Sequence, residues 1–534
     1  MRLRKRLALP LVALLAGAAQ AVSIAAPWNG QPLWWLQVLS LALLVWSLDR
    51  VAEDELSWSS STWVDTERAS AGVRAAWLGW LFGVAWLAGT FWWLYISMHT
   101  YGGLAAPLAA LAVLALSGFL ALYYAVACTL FLVLFPPQVQ TSRAWRAIVF
   151  AALWTLAELV RGRWLTGFPW GASGYAHVSG PLAAYAGWMG VYGLAALAAV
   201  LAALLPGILG KAKPGGMLAV GLLIVLVFGT PVAMSYLPPV GASAQKVAVT
   251  LLQGNIPQDE KFQPGSGVPQ ALQWYAEQLR DAKTPLVVAP ETAVPMLPTQ
   301  LPEGYWDALK TRFSSGQQAA LVGVPLGNIE VGYTNSVVGL KPGPADPREP
   351  YRYDKHHLVP FGEFIPTGFR WFTEMMNIPL GDFNRGEVGQ PSFEWQGQRL
   401  APNICYEDLF GEELGARFAD AASAPTIMVN LSNIAWFGNS VAIDQHLHIS
   451  RMRALEFARP MIRATNTGAT VIIDHRGRVT HALERHTRGV LVGEVEGRTG
   501  TTPYAWWVSR FGLAPLWVLA LAAVGVAAWL RRRG

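Results

Sequence analysis

The stretch LAAPLAALAVLALSGFLALYYAVACTLFLVLF, residues 104–135, contains no Asp, Glu, Lys or Arg. A helix of about 20 apolar residues is long enough to cross the hydrocarbon core of a bilayer. The absence of these charged residues extends back to residue 75. We therefore predict that this part of the chain lies in a membrane.

The composition of the whole chain supports a division into two kinds of segment. Of the 534 residues, 53% are hydrophobic and only 14% are charged, whereas a soluble domain usually carries about 25% charged residues. Residues 246–500, in contrast, have the composition of an ordinary soluble protein. The net charge of +6 reflects basic clusters at the two ends. Because no basic stripe with interleaved aromatic residues follows, we expect no binding of nucleic acid.

Eight apolar segments are predicted to span the membrane. They cover residues 7–26, 31–49, 74–98, 103–135, 144–161, 181–206, 216–237 and 512–530. The basic start and small residues of the first segment are also typical of a signal peptide, but the six spans that follow favour an uncleaved helix. We expect seven helices in a membrane domain over 1–240, a water-facing domain over 241–505, and a last helix with a cytoplasmic tail over 506–534.

Basic residues indicate the orientation, because loops on the cytoplasmic side are rich in Lys and Arg. With the N-terminal cluster inside, the expected cytoplasmic residues are Arg143, Arg146, Lys211, Lys213, Arg531, Arg532 and Arg533. Arg161 and Arg163 are exceptions, since they follow the fifth span and would lie outside. Both termini are then cytoplasmic, and the large domain faces outward, which in a bacterium is the periplasm.

The water-facing domain alternates short β-branched runs with amphipathic segments, a pattern typical of a layered α/β fold. Strands are predicted over 246–252, 285–289, 319–324, 334–340, 399–404, 425–430, 470–474 and 489–495. Helices are predicted over 269–282, 303–314, 407–419 and 445–457, and HRGR at 475–478 predicts a hairpin turn.

Cys405 is a candidate nucleophile at the end of a predicted strand. It lies in NICYE, 403–407, where Glu407 opens the predicted helix over 407–419. The N-terminus of a helix favours a thiolate and places backbone N–H groups where an oxyanion can form. The alternative is a buried, inert cysteine, which is our interpretation of Cys128 within its apolar run.

Glu291 and Lys355 complete a possible site. Glu291 follows the apolar strand PLVVA, and Lys355 precedes the apolar pair LV at 358–359. Alone, Glu291 is more typical of a helix-capping or solvated residue, and Lys355 of a solvated surface residue. Together with Cys405 they supply a base, whose basicity burial would maintain, and a cation to hold a tetrahedral oxyanion.

These three motifs resemble the carbon–nitrogen hydrolase (nitrilase) superfamily. The matching strings are APET at 289–292, DKHHLVPFGE at 354–363 and NICYE at 403–407, in the order of that superfamily. The resemblance covers about 240–500. It implies an αββα sandwich and catalysis through a covalent thioester.

A narrower resemblance covers essentially the whole chain. LQGNIP at 252–257, LVPFGE at 358–363, NLSNIAWFG at 430–438 and GFPW at 167–170 are similar to the apolipoprotein N-acyltransferases of bacterial inner membranes. The arrangement of seven spans, one outward domain and one final span is similar too. The resemblance implies transfer of an acyl chain from the sn-1 position of a phospholipid such as phosphatidylethanolamine, through a Cys405 thioester. The acceptor is the α-amine of the N-terminal diacylglyceryl-cysteine of an apolipoprotein.

The resemblance also implies a role for each site residue. Glu291 is the base, and Lys355 with the backbone N–H of Tyr406 holds the oxyanion. Glu363 and Glu407 support this site. The Tyr406 and Trp436 side chains line an acyl or headgroup pocket, unless they are ordinary packing residues. Phe262 stands near where the family often has a Trp, so any role of an indole N–H is in doubt. No cofactor is implied.

Other functions are weighed against this one. A membrane-anchored nitrilase-type amidohydrolase would need fewer spans than seven. A transporter would need ionisable residues within its spans, and Glu158 and Arg161 are predicted only at a span end. His446 and His448 are predicted to lie on different faces of one helix, which disfavours a metal site. Arg451 and Arg453 of that helix are expected to be solvated.

Overall fold

The structure, a computed structural model, divides the chain into two compact units. It describes residues 2–56, 64–136, 141–208, 221, 225–229, 241–328, 330–343, 350–376 and 382–533. The helical unit comprises Met1–Trp92, Pro107–Leu237 and Leu513–Gly534, and the sheet unit comprises Trp93–Ala106 and Pro238–Gly512.

Long helices build the helical unit. They are α1 Arg2–Ile24, α2 Trp34–Leu56, α3 Val64–Phe91, α4 Ala106–Leu134, α5 Arg143–Arg163, α6 Ala186–Ile208 and, at the end of the chain, α13 Ala514–Arg533. Five segments are long and apolar enough to cross a membrane: Trp34–Asp54, Ala71–Phe91, Ala106–Leu134, Pro181–Pro206 and Ala514–Arg533. These five confirm a multi-span membrane domain.

The predicted count of eight spans is not reached among the described residues. The apolar part of α1, Ala8–Ile24, is shorter than the five spanning segments. Charged residues near both ends of α5 shorten its uninterrupted apolar stretch. The predicted span over 216–237 lies mainly outside the described residues. Eight spans therefore stay a prediction.

Helix α4 shows why these helices suit lipid. Leu108, Leu111, Leu122 and Val126 are exposed along it; their spacings of 3, 11 and 4 residues place them on one helix face. The opposite face is apolar as well, and Tyr124, Cys128 and Phe131 are buried there against the other helices. A helix that is apolar on all sides is stable beside hydrocarbon, which satisfies no polar group.

The contacts of Arg161 explain why this residue is an exception to the distribution of basic residues expected from the orientation. Its side chain is buried, and its guanidinium donates hydrogen bonds to the carbonyls of Phe168 and Trp170, at 2.7 and 2.8 Å, and to the hydroxyl of Tyr124. Glu158, one turn earlier, is also buried and accepts from Ser173. Arg161 therefore holds the GFPW loop in place, and it is a poor indicator of sidedness.

Two six-stranded sheets build the sheet unit, as an αββα sandwich requires. The strands are β1 Ala242–Gln253, β2 Leu286–Val288, β3 Ala319–Asn328, β4 Gly332–Leu340, β5 Tyr351–Asp354, β6 Phe393–Trp395, β7 Gln398–Ile404, β8 Ile427–Ser432, β9 Met461–Thr465, β10 Val471–Ile473, β11 Val479–Ala482 and β12 Gly489–Arg498. The strand orders are β12-β1-β2-β3-β4-β5 and β11-β10-β9-β8-β7-β6. Strands β1 to β3 are mutually parallel, and so are β7 to β9.

The helices of the sheet unit are shorter. They are α7 Gly267–Asp281, α8 Tyr305–Ser314, α9 Arg370–Thr373, α10 Gly411–Gly415, α11 Ala442–Phe457 and α12 Pro503–Phe511. The predicted hairpin at 475–478 is confirmed, because β10 and β11 pair in antiparallel register across it. The strands β5, β6, β9 and β11 were not predicted; β5 and β6 are only four and three residues long.

The side chains of β2 point alternately to two apolar cores, which explains why its sequence is apolar at every position. Leu286 and Val288 belong to the core between the sheets, whereas Val287 packs with α7 and α8 in the outer core. A strand covered on both faces must be apolar at every position. Burial of each such side chain stabilises the fold by about 1.5–3 kcal/mol.

The predicted amphipathic helix over 407–419 is wrong. A 3-10 turn, Cys405–Leu409, is followed by the five-residue α10 and a second 3-10 turn. Phe410, with φ −101° and ψ 78°, separates the first two. The reason is that Glu407 and Asp408 are buried and bind neighbouring elements, so they do not begin an exposed helix.

One segment of the N-terminal half belongs to the sheet unit. Residues Trp93–Ala106, which contain a π-helical turn at Ile96–Tyr101, pack within it. The Trp93 indole donates to Oε1 of Gln445 at 3.0 Å and its ring contacts Phe437. The helix of the span predicted over 74–98 therefore ends at Phe91, and the helix of the span predicted over 103–135 begins at Ala106.

Candidate active site

The candidate residues lie where parallel strands end. Glu291 follows β2, Cys405 follows β7, and Asn433 follows β8. The carboxyl ends of parallel strands form the crevice in which α/β proteins place their sites. Cys405 and Thr292, the residue after Glu291, have left-handed backbone with φ of 51° and 47°. Such strain is maintained only where the surrounding contacts fix the chain.

Lys355 and Glu291 are in contact, and Glu363 is a third member. The Nζ atom of Lys355 lies 3.3 Å from Oε1 of Glu291 and 2.8 Å from Oε1 of Glu363. All three side chains are buried. A cation between two carboxylates offsets much of the cost of burying each charge.

Asn335 joins the two carboxylates from the other side. Its Nδ2 donates to Oε1 of Glu291 at 2.7 Å and to Oε1 of Glu363 at 2.8 Å. The other oxygen of Glu291 accepts from the backbone N–H of Asn433 at 2.8 Å. Oε1 therefore meets two donors and Oε2 a third, which fixes the carboxylate in one orientation.

The electrostatics leave Glu291 ionised. Burial by itself would raise the pKa of this carboxyl group, but Lys355, Lys261 and the hydrogen bonds hold it below its ordinary value. Burial would likewise lower the pKa of Lys355, but Glu363 and Glu291 raise it above the ordinary value. Burial acts on the pKa of Glu291 in the expected direction, but the net shift is the opposite of the expectation, because the cationic neighbours and hydrogen bonds outweigh desolvation.

Cys405 is held as a neutral thiol. Burial is the largest cause, and together with the charge of Glu291 it raises the pKa of the thiol to about 12, against an opposing effect of Lys355. The expectation of a thiolate at a helix N-terminus is therefore wrong, since only a 3-10 turn begins there. A protonated thiol within electrostatic reach of an ionised carboxylate is a nucleophile with a proton acceptor available.

Glu407 connects the strand that carries Cys405 to the chain after Lys355. Its Oε2 accepts from the backbone N–H of Ile404 and from the Tyr353 hydroxyl, both at 2.7 Å. Its Oε1 accepts from the N–H groups of His356 and His357 at 2.7 and 3.3 Å. This carboxylate thus fixes the distance between two ends of the site.

The aromatic candidates differ in their surroundings. Tyr406 is buried and packs on His357 and Phe410. Trp436 is half-buried and stands edge-on to Tyr101. Phe262 is exposed beside the buried Lys261. An exposed ring at this place is available to an acyl chain, whereas the Tyr406 side chain has ordinary packing.

Lys261 and Asn335 were not predicted as site residues from the sequence. Lys261 donates from Nζ to the backbone carbonyl of Glu291 at 3.0 Å. Burial lowers the pKa of Lys261 to about 8, against the opposing charges of Glu291 and Cys405. The polar run TNS at 334–336 inside an apolar strand was the available signal for Asn335. The described residues contain no group of three or more His, Cys, Asp or Glu able to hold a metal ion.

Comparisons with known proteins cover nearly the whole chain. Residues 16–204 match the family model described as apolipoprotein N-acyltransferase N-terminal domain, and residues 248–504 match that described as carbon-nitrogen hydrolase.

Three relatives carry the name apolipoprotein N-acyltransferase. The one from Verminephrobacter eiseniae is 57% identical over 94% of this chain and 92% of its own length. The one from Ralstonia nicotianae is 44% identical over 99% of this chain and 94% of its own length. The one from Bordetella bronchiseptica is 42% identical over 97% of this chain and 95% of its own length. These similarities do not favour an amidohydrolase or a transporter.

Proposed function

This chain belongs to the apolipoprotein N-acyltransferase family, and from that premise we propose that it acylates the N-terminal amine of lipoproteins with a phospholipid acyl chain. These matches confirm the family that the sequence motifs indicated. The observation that carries the chemistry is the buried contact of Lys355 with Glu291 and Glu363, at a place where the charges of Glu291 and Lys355 both act on the Cys405 thiol.

The first half-reaction forms the thioester. Glu291 takes the proton of Cys405 as the sulfur attacks the sn-1 ester carbonyl of the phospholipid. Lys355 and the backbone N–H of Tyr406 hold the oxyanion. When the tetrahedral intermediate collapses, the C–O bond breaks and the departing oxygen takes the proton from Glu291. The products are the acyl-enzyme and a lysophospholipid.

The second half-reaction makes the amide. The α-ammonium of the diacylglyceryl-cysteine loses a proton to Glu291, and the amine attacks the thioester carbonyl. Glu291 releases this first proton to solvent, takes a second proton from the nitrogen, and passes it to the sulfur as the C–S bond breaks. The lipoprotein leaves with an amide-linked third acyl chain. Lys355 and the Tyr406 N–H hold the oxyanion again, so one set of groups serves both steps.

The lipid character of both substrates explains the helical unit. Moving an acyl chain into water costs about 0.8 kcal/mol for each CH₂ group, so an enzyme anchored in the bilayer avoids most of that cost. We place the enzyme in the bacterial inner membrane, with the sheet unit in the periplasm and both termini in the cytoplasm. The exposed Phe262 and the half-buried Trp436 are the proposed contacts for the acyl chain or headgroup.

The test of this function is the fate of the acyl group. The purified enzyme is incubated in phosphatidylethanolamine liposomes with a diacylglyceryl lipopeptide, and the products are identified by mass spectrometry. We expect an N-acylated lipopeptide and lysophosphatidylethanolamine in equal amounts, and neither with Cys405→Ala. Free fatty acid in place of the acylated peptide would show a hydrolase and overturn the proposal.

A further inference from the structure

A buried polar network lies directly behind the nucleophile. Nε2 of His446, on α11, lies 2.9 Å from Oδ1 of Asp408 and 3.2 Å from the backbone oxygen of Cys405. Arg463, on β9, contacts both Asp408 and His446. The side chains of His446, Asp408 and Arg463 have no exposed surface, so solvent is not a partner in these bonds.

The partners of His446 decide which nitrogen carries its proton. Asp408 and the Cys405 carbonyl are both acceptors, so Nε2 must be a donor. Nδ1 lies 3.1 Å from Nη2 of Arg463, and a guanidinium can only donate. Nδ1 is therefore the acceptor, and the ring is held as the neutral Nε2–H tautomer.

Asp408 is fixed by the same network. Its Oδ2 accepts from Arg463 at 3.3 Å and from the hydroxyl of Ser450. Burial would raise the pKa of Asp408, but the hydrogen bond from His446, the charge of Arg463 and the hydrogen bond from Ser450 hold it below its ordinary value. An ionised Asp408 thus orients the imidazole from one side while Arg463 orients it from the other.

The carbonyl that receives this hydrogen bond belongs to a strained residue. Cys405 has φ of 51°, and its backbone oxygen also accepts from Nδ2 of Asn430 at 3.2 Å. That oxygen and the N–H of Tyr406 belong to the same planar peptide unit. Holding the oxygen of Cys405 therefore sets the direction of the Tyr406 N–H.

From these contacts we infer that His446, oriented by Asp408 and Arg463, is a positioning residue that aims the Tyr406 N–H at the oxyanion. The inference rests on the proposed function, in which that N–H stabilises the tetrahedral intermediate. His446 itself touches no reacting atom. Its contribution lies in keeping the peptide unit of the nucleophile in its strained orientation before substrate arrives.

Two reactions of Cys405 separate this role from general distortion of the site. Thioester formation from phosphatidylethanolamine passes through an oxyanion, whereas alkylation by iodoacetamide is a displacement at carbon that forms none. Both are followed on the detergent-purified full chain by intact mass. His446→Leu removes the donor, His446→Gln supplies an amide donor near the Nε2 position, and His448→Leu is the control. His448 is buried on the same helix, and its Nδ1 lies 3.3 Å from Nη1 of Arg451.

We expect His446→Leu to slow thioester formation at least about tenfold, while the alkylation rate stays within about twofold of the wild type. His446→Gln should recover most of the loss, and His448→Leu should leave both rates near those of the wild type. Equal loss of both reactions, no loss of either, or no recovery in His446→Gln would overturn the inference. A wild type that forms no thioester would instead overturn the proposed function.

Discussion

The carboxylate of Glu407 accepts a hydrogen bond of 2.7 Å from the backbone N–H of His356. Its other oxygen accepts from the N–H of Ile404 at the same distance. His356 follows Lys355 and Ile404 precedes Cys405, so the Glu407 side chain fixes the separation between Lys355 and Cys405. The geometry of the site therefore depends on a residue that need not touch substrate.

Glu407→Gln should disturb this spacing. A glutamine keeps one acceptor oxygen but turns an NH₂ group toward N–H donors, leaving buried donors unpaired at about 1–3 kcal/mol. We expect the rate of thioester formation to fall about tenfold or more, since 1.4 kcal/mol corresponds to a factor of ten. The control is Glu413→Gln, whose carboxylate contacts the His357 side chain and is partly exposed. Equal rates for the two variants would contradict the prediction.

Glu291→Gln should separate thiol ionisation from acyl transfer. The charge of Glu291 raises the pKa of Cys405, so its removal should move the pH profile of iodoacetamide alkylation toward lower pH. Thioester formation should nevertheless fall about 100-fold or more, because the proton acceptor is lost. Glu277→Gln serves as the control, because the half-buried Glu277 carboxylate on α7 accepts a hydrogen bond from Gln273. An alkylation profile that moves to higher pH would contradict this account.

Lys355→Met should affect both rate and stability. The substitution leaves Glu291 and Glu363 buried without their shared cation, and breaking a buried ion pair costs about 3–5 kcal/mol. We expect no detectable thioester and a lower midpoint of thermal unfolding. Lys310→Met, which removes an ion pair with the exposed Asp307, should change neither. A Lys355→Met enzyme with wild-type activity would exclude the proposed oxyanion role.

Lys261→Met should shift the acid limb of the pH–rate profile. In the wild type, Lys261 helps to hold the pKa of Glu291 below its ordinary value. The carboxylate therefore remains ionised until the pH falls below the ordinary pKa of a Glu side chain. Without this cation the pKa of Glu291 rises, and activity should be lost at a higher pH. Lys261→Arg should keep the wild-type limb. Superimposable profiles for Lys261→Met and wild type would contradict the prediction.

Phe262 tests the contact with the acyl chain. Because its ring is exposed, Phe262→Ala should leave the stability within about 0.5 kcal/mol of wild type. We expect a higher KM for phospholipid and a nearly unchanged kcat. Phe262→Trp should keep a KM close to wild type, since an indole also covers a hydrocarbon chain. The prediction fails if kcat falls and KM does not change.

Local sequence strings could predict much of this molecule. APET and NICYE placed Glu291 and Cys405 at the ends of strands, and DKHHLVPFGE identified Lys355 by its motif. The structure brings Glu291 into contact with Lys355. The charge-free stretch predicted the membrane helices. These features lie within short segments, so periodicity and strand ends suffice to locate them.

Long-range contacts account for what was missed. Arg453 was expected to be solvated, yet it is buried, and its guanidinium lies against Gly411 of α10. His446 was considered only as a metal ligand, whereas its partners come from residues 408 and 463. Trp93 joins the sheet unit across more than 300 residues of sequence. The sequence pattern of one helix does not reveal which distant polar groups meet it.

The central claim is that Cys405 carries the acyl chain, and intact mass tests it most directly. The purified enzyme is incubated with phosphatidylethanolamine without an acceptor, alongside Cys405→Ser and Cys405→Ala. We predict a mass gain of one acyl chain in the wild type that hydroxylamine removes, and no gain in Cys405→Ala. A gain that persists in Cys405→Ala, or its absence with every phospholipid offered to the wild type, would contradict the account.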